Sequence, residues 1–223
     1  MKYDNGLKEA MYFVEYIQKI FESYDAGIQQ VITKVEIWNR DISTEKHHKP
    51  IETIKSRIKS PTGIIKKLEQ KQQELTMSSV YRNVQDIGGI RIICPFLSDV
   101  YCVAEFLEQQ RDIHVEKKKD YIEHPKPNGY RSLHMLVNVP VCFMEGTHNV
   151  PLEIQIRTVG MDSWASLEHQ LCYKKGVMTE EIYEELKYCA EVIADNDIRM
   201  QKTANKLSVF SRYPSLLPME PKS

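Results

Sequence analysis

Apolar residues recur along the first part of the chain at Met11, Val14, Ile17, Ile20 and Phe21, then at Ile28, Val31, Ile32, Val35 and Trp38. This spacing keeps them near one helix face and predicts helix over 7–41, with Gly27 marking a break or bend. Ser, Thr, Lys, His and Pro50 predict a loop over 43–50. A basic stretch, 55–71, runs through Ser60-Pro61 into a helix carrying Ile64, Ile65 and Leu68 on one side. The β-branched run after Gly88-Gly89, stopped by Pro95, reads as a buried strand. Helix returns over 98–110, with Val103, Phe106 and Leu107. Strands are expected over 114–118, 132–139 and 152–156. In the last, Leu152, Ile154 and Ile156 alternate with Glu153, Gln155 and Arg157, so the three polar side chains share a face. Helical spacing resumes over 159–174 and 179–208, and three prolines predict a frayed tail over 214–223.

The order of elements implies an α+β fold: a small mixed sheet with helices on it and long helices at both ends. One domain accommodates the 223 residues, with a helical flank over 1–50, a catalytic core over 51–175 and C-terminal helices and tail over 176–223. The formal net charge of −1 provides no global field for nucleic acid or an anionic membrane, so any affinity for phosphate must be local. Five scattered cysteines with no C-x-x-C pair, no apolar leader and no long apolar span point to a reducing compartment, the cytoplasm, and to no membrane partner.

Five segments carry candidate chemistry. Between Lys55 and Lys71 there are six Lys or Arg and one acid, Glu69. A basic loop entering a helix N-terminus suits a polyphosphate, and it also reads as a solvated helix face. Asp86 precedes a strand in which Arg91 interrupts an apolar run, a costly position unless the charge is paired. The Pro127-Asn128-Gly129 turn delivers Tyr130, Arg131 and His134 to a strand start. An aromatic beside cations suits a purine and its phosphates, and a hairpin with a packed tyrosine reads equally well. Glu153, paired with Asp86 from a neighbouring strand, can hold a hard cation such as Mg²⁺, which takes one or two carboxylates plus substrate phosphates. Trp164 has core spacing with Leu167 and Leu171, and His169 is either structural or a pocket wall.

Taken in order, R-I-K-S-P at 57–61, D-I-G-G-I-R at 86–91, K-P-N-G-Y-R-S-L-H at 126–134, E-I-Q-I-R-T at 153–158 and W-A-S-L-E-H at 164–169 resemble the synthetase domain of the RelA/SpoT family. The likeness is strongest to its small alarmone synthetases. The resemblance implies a fold of the polymerase β nucleotidyltransferase type. It also implies transfer of pyrophosphate from ATP to the 3′-hydroxyl of GDP or GTP, giving AMP and ppGpp or pppGpp. By match to the motifs, Arg57, Lys59, Lys67 and Arg91 would hold ATP, and Asp86 and Glu153 would hold Mg²⁺. Tyr130 would stack on guanine, while Lys126, Arg131 and His134 would meet the acceptor's phosphates. Asp162 is a candidate guanine reader, because guanine presents N–H donors and a carboxylate accepts. Gln155 and His169 are candidate pocket supports. The resemblance further suggests a homotetramer. RNA or an alarmone is a candidate effector class, but the stretch 52–56 lacks the glycine-containing loop of the alarmone-activated subtype, which argues against activation by product. No hydrolase-like half precedes the motifs. Two other readings fit the same residues: a nucleotidyltransferase acting on another acceptor, and a catalytically silent RNA-binding or regulatory module.

Overall fold

The computed structural model describes the backbone of residues 2–74, 79–80, 83–84, 86–173 and 179–207, and side chains from residue 18 onward except 46 and 172–173. Helix α1 (Lys2–Lys46) leads into strand β1 (Thr53–Ile58), helix α2 (Pro61–Gln70) and strand β2 (Gly88–Cys94). Helix α3 (Leu97–Glu108) and strands β3 (His114–Asp120), β4 (Leu133–Phe143) and β5 (Gly146–Thr158) follow. Helices α4 (Val159–Tyr173) and α5 (Glu180–Asn205) complete the described chain. The tail expected over 214–223 lies outside the described residues.

The five strands form one sheet in the order β1-β2-β5-β4-β3. β2 and β5 run parallel and the other neighbours antiparallel, so the sheet is mixed as expected. Alternation in the strands divides it into two faces. Ile90 and Ile92 of β2, Leu152, Ile154 and Ile156 of β5, and Leu133, Met135 and Val137 of β4 are all buried. They meet α1 and α3 across that face. Helix α1 contributes Ile20, Tyr24, Ile28, Val31 and Val35, buried at helical spacing. The other face carries the polar alternates and forms the floor of a cleft.

Three expectations change. Helix α1 runs unbroken through Gly27 to Lys46, so the loop is shorter than 43–50. A Cβ at Gly27 would stand 3.4 Å from Val150 Cγ1: the glycine admits a close helix–sheet approach and is no bend. The basic stretch begins as a strand, β1, whose residues are mostly exposed. It is an edge strand without an apolar alternation to announce it. Strands β4 and β5 continue well past the expected limits into a long hairpin closed at Gly146, where φ is +130°.

Ser60 caps α2 as its sequence implied: Gly63 N–H donates to Ser60 Oγ at 3.2 Å. Helix α3 has no side-chain cap of its own. Instead, the Ser98 N–H donates to Gln201 Oε1 of α5 at 2.9 Å, and His48 Nε2 meets Asp99 Oδ1 at 2.6 Å. The segment after α1 and helix α5 are thereby both tied to the start of α3.

The Lys126–Tyr130 turn depends on one glycine. Gly129 has φ +86° and donates to Lys126 O at 2.8 Å. A Cβ there would lie 2.6 Å from Ala190 Cβ on α5. Gly129→Ala is expected to cost about 1–3 kcal/mol in urea unfolding, since a side chain is strained at this φ and must displace α5.

Candidate functional site

Register places the cleft residues. Lys55 and Arg57 of β1 pair with Arg91 and Gly89 of β2. Gly89 and Arg91 pair with Glu153 and Gln155 of β5. Gln155 in turn pairs with His134 of β4, and His134 with Lys119 of β3. Side chains on opposed positions share a face, so five strands carry their polar residues to one surface. The two glycines of the D-I-G-G-I-R segment divide their duties. A Cβ at Gly88 would fall 2.6 Å from Leu152 Cδ2 and 2.7 Å from Tyr24 Cδ1 on the core side. Gly89 lies on the cleft side, with Arg57 Cγ at 3.8 Å from its Cβ position.

Two adjoining cavities open on this surface. One is lined by Lys67, Lys71, Lys117, Lys119, Asp86 and Glu153, among others. The second is lined by Lys55, Arg57, Gly89, Arg91 and Gln155, and again by Asp86 and Glu153. The two acids therefore stand at the border of both, surrounded by cations. The local field is strongly positive although the chain carries a net charge of −1.

Asp86, just ahead of β2, accepts from Lys59 Nζ at 2.6 Å and Lys67 Nζ at 2.5 Å. Burial pushes its carboxyl up, but hydrogen bonds and charge from Lys59 and Lys67 outweigh burial and hold it below the usual carboxylate value. Glu153 Oε1 lies 3.3 Å from His134 Nδ1, and its Oε2 accepts from Gln155 Nε2 at 3.0 Å. The His134 hydrogen bond lowers the Glu153 carboxyl against burial and the nearby Asp86 charge, which raise it, and the result is a lowered value. Both acids are ionised at neutral pH.

Among the described residues no group of three or more His, Cys, Asp or Glu side chains is arranged to hold a metal. The cleft instead presents two ionised carboxylates beside a cationic cradle. That donor set fits Mg²⁺, which completes its shell with water and substrate phosphate.

Stability has an acid limb of known sign. A carboxyl whose folded value is depressed contributes stability above its unfolded value and loses it as pH falls through the folded one. For Asp86 and Glu153 the ordinary values are 3.8 and 4.5, so the contribution is complete at neutral pH and is lost in acid below them. Asp86→Asn is expected to flatten the fall in melting temperature below about pH 4. An acid limb as steep as the unmodified protein's would contradict the assignment.

Tyr130 and His134 share a side, as their spacing implied: Tyr130 Oη meets His134 Nε2 at 2.8 Å. Lys126 Nζ sits 4.6 Å from the Tyr130 ring centroid and 4.8 Å from that of Tyr121, a cation–π arrangement.

Three expected site residues lie differently. Arg131 turns away from its neighbours and donates to the carbonyls of Gly129 and Ala190 at 3.3 and 3.4 Å, toward α5. Both residues precede β4, and in this stretch Tyr130 turns to His134 while Arg131 turns to α5. His169 is exposed on α4 and lines neither cavity. Asp162, expected to read guanine, is buried and committed to cations. Its Oδ1 accepts from Arg91 at 3.0 Å and Arg157 at 3.3 Å, and its Oδ2 from Lys55 at 3.4 Å.

Lys117 and Lys119 line the first cavity although no expectation fell on them; they alternate on β3, a signal present in the sequence. Lys71 and Arg157 are expected only as part of the basic stretch and as a polar alternate on β5.

Residues 56–178 match the family model described as the region found in RelA/SpoT proteins. Over 178 residues the chain is 42% identical to the GTP pyrophosphokinase YwaC of Bacillus subtilis strain 168, covering 79% of this chain and 85% of that one. The crystal structure of the small alarmone synthetase 2 from Bacillus subtilis superposes with a TM-score of 0.78 at 38% identity, over 86% of this chain and all of the other. That of the small alarmone synthetase 1 from the same organism, bound to its product pppGpp, gives 0.79 at 31% identity, over 87% and 99%.

Proposed function

The chain belongs to the RelA/SpoT family, and on that premise we propose that it is a (p)ppGpp synthetase, transferring pyrophosphate from ATP to the 3′-hydroxyl of GDP or GTP. The observation that carries the proposal is the pair Asp86 and Glu153, shared by two adjoining cationic cavities. The two cavities form one cationic surface, and the reacting groups would meet where Asp86 and Glu153 border both.

The acceptor's 3′-oxygen attacks the β-phosphorus of ATP. The bond from that phosphorus to the α,β-bridging oxygen breaks, AMP leaves, and the hydroxyl proton passes to solvent. Phosphoryl-type transfer needs positioning and charge neutralisation above all. Arg57, Lys59, Lys67 and Arg91 are assigned to the ATP phosphates, with Lys59 and Lys67 shared between them and Asp86. Asp86 and Glu153 are assigned to Mg²⁺, which when bound supplies Lewis-acid neutralisation of phosphate charge. A carboxylate held below its usual value, as Glu153 is, makes a weak base, and this favours metal holding over proton abstraction. Tyr130 offers its ring to guanine, with Lys126 and His134 beside it for the acceptor's phosphates.

A homotetramer and a cytoplasmic setting form part of the proposal. Tyr188, Val192 and Met200 of α5, and Leu167 and Leu171 of α4, leave half or more of their surface exposed or nearly so, which supports a covering partner. Among the described residues no helix is long and apolar enough to cross a membrane.

The test is incubation with ATP, GDP and Mg²⁺, with the nucleotides resolved afterwards. AMP appearing with ppGpp supports the proposal. Released pyrophosphate would point to nucleotidyl transfer instead, and an absence of turnover overturns the synthetase reading.

A further inference from the structure

We propose that Arg157 and Asp162 form a buried strut that couples the donor and acceptor subsites, so that a nucleotide on one side tightens binding on the other. The proposal rests on the synthetase reading's assignment of Arg91 to ATP and Tyr130 to guanine.

Arg157 is 3% exposed and Asp162 6%. The Arg157 guanidinium makes four hydrogen bonds, from all three of its nitrogens. Nη1 donates to Asp162 Oδ1 at 3.3 Å, Nη2 to Tyr130 Oη at 2.5 Å and Gln155 Oε1 at 2.8 Å, and Nε to Ser132 Oγ at 3.4 Å. Its charged carbon also lies 5.1 Å from the Tyr130 ring centroid. One planar fork thus holds the proposed guanine platform by edge and face. Lysine, with a single ammonium, cannot reproduce this.

The far end of the strut reaches the donor side. Arg91 Nη1 donates to the same Asp162 Oδ1, at 3.0 Å. Two guanidinium groups therefore share one oxygen. When donor phosphates draw Arg91 toward them, that oxygen is left to Arg157, which then holds Tyr130 more firmly. The sheet core does not require this pair, since Leu152, Ile154 and Ile156 fill the opposite face of the same strand. A buried ion pair is also no efficient source of stability compared with apolar side chains of similar volume. Arg157 and Asp162 are accordingly positioning residues, acting through Arg91 and Tyr130.

The experiment titrates a fluorescent GDP analogue into the full chain, with and without a saturating non-hydrolysable ATP analogue. The expected ratio of the two dissociation constants is at least about fivefold, tighter with the ATP analogue present. Asp162→Asn keeps the shape but loses the charge, and is expected to bring the ratio to about one. Arg157→Lys is expected to weaken the GDP analogue several-fold and to abolish the ratio, and if it does not fold, Asp162→Asn carries the test. A purely structural role would lower the melting temperature without touching the ratio. A ratio of about one in the unmodified protein, or a full ratio in folded Asp162→Asn, overturns the strut. A chain that forms ppGpp without the ratio keeps the synthetase reading and loses the strut. One that binds both nucleotides with the ratio but forms no ppGpp does the opposite.

Discussion

Asp86→Ala and Glu153→Gln are each expected to lower the rate of AMP formation by about 10³-fold or more while leaving a folded protein. The physical basis is the loss of anionic charge at the border of two cationic cavities. With Asp86 gone, Lys59 and Lys67 lose the group that both now contact at 2.6 and 2.5 Å, and the cleft retains a single carboxylate for a divalent ion. With Glu153 neutral, the surviving amide still reaches His134 and Gln155, so the fold is spared while the charge is lost. Both residues are partly exposed to the cleft, which limits the cost in stability. The check pairs initial rates with melting temperatures. Either variant retaining a tenth of the normal rate would remove the carboxylate pair from the mechanism.

Tyr130→Ala is expected to raise the acceptor KM by about 10–100-fold, because base–aromatic stacking is worth about 1–3 kcal/mol and each 1.4 kcal/mol is a factor of ten. The ATP KM should rise far less. The ring also anchors Lys126, 4.6 Å from its centroid, so the alanine variant loses the placement of a cation together with the stack. Tyr130→Phe separates the contributions: it keeps the ring and the cation contact and removes only the hydroxyl that Arg157 and His134 share. Its acceptor KM should fall between the two. Steady-state kinetics with each nucleotide varied in turn reads the difference, and an equal rise for ATP and acceptor in Tyr130→Ala would detach the ring from guanine.

Much of the fold was legible because its signals are local. The alternation of Leu152, Ile154 and Ile156 with Glu153, Gln155 and Arg157 separated the core face from the cleft face, and strand geometry enforces that division whatever the neighbours. Ser60-Pro61 announced the start of α2 through capping chemistry. Gly27 misled, because a glycine in a helix reads the same whether it bends the chain or admits Val150. Strand β1 was hidden because Thr53–Ile58 is polar and mostly exposed. Its hydrogen bonds to β2 supply the order that its side chains do not.

By itself the sequence determined which segments bring cations, carboxylates and an aromatic to the sheet, since charge, turn chemistry and strand period are properties of short segments. Tertiary structure alone decided their partners. Asp162 and Arg91 stand 71 residues apart and share a 3.0 Å contact, which turned an expected guanine reader into a counter-ion for two arginines. Arg131 was directed toward α5, whose position against the turn no local pattern encodes. Hydrogen bonds and ion pairs act only over a few ångströms, and which groups come that close is fixed by how the sheet and helices pack.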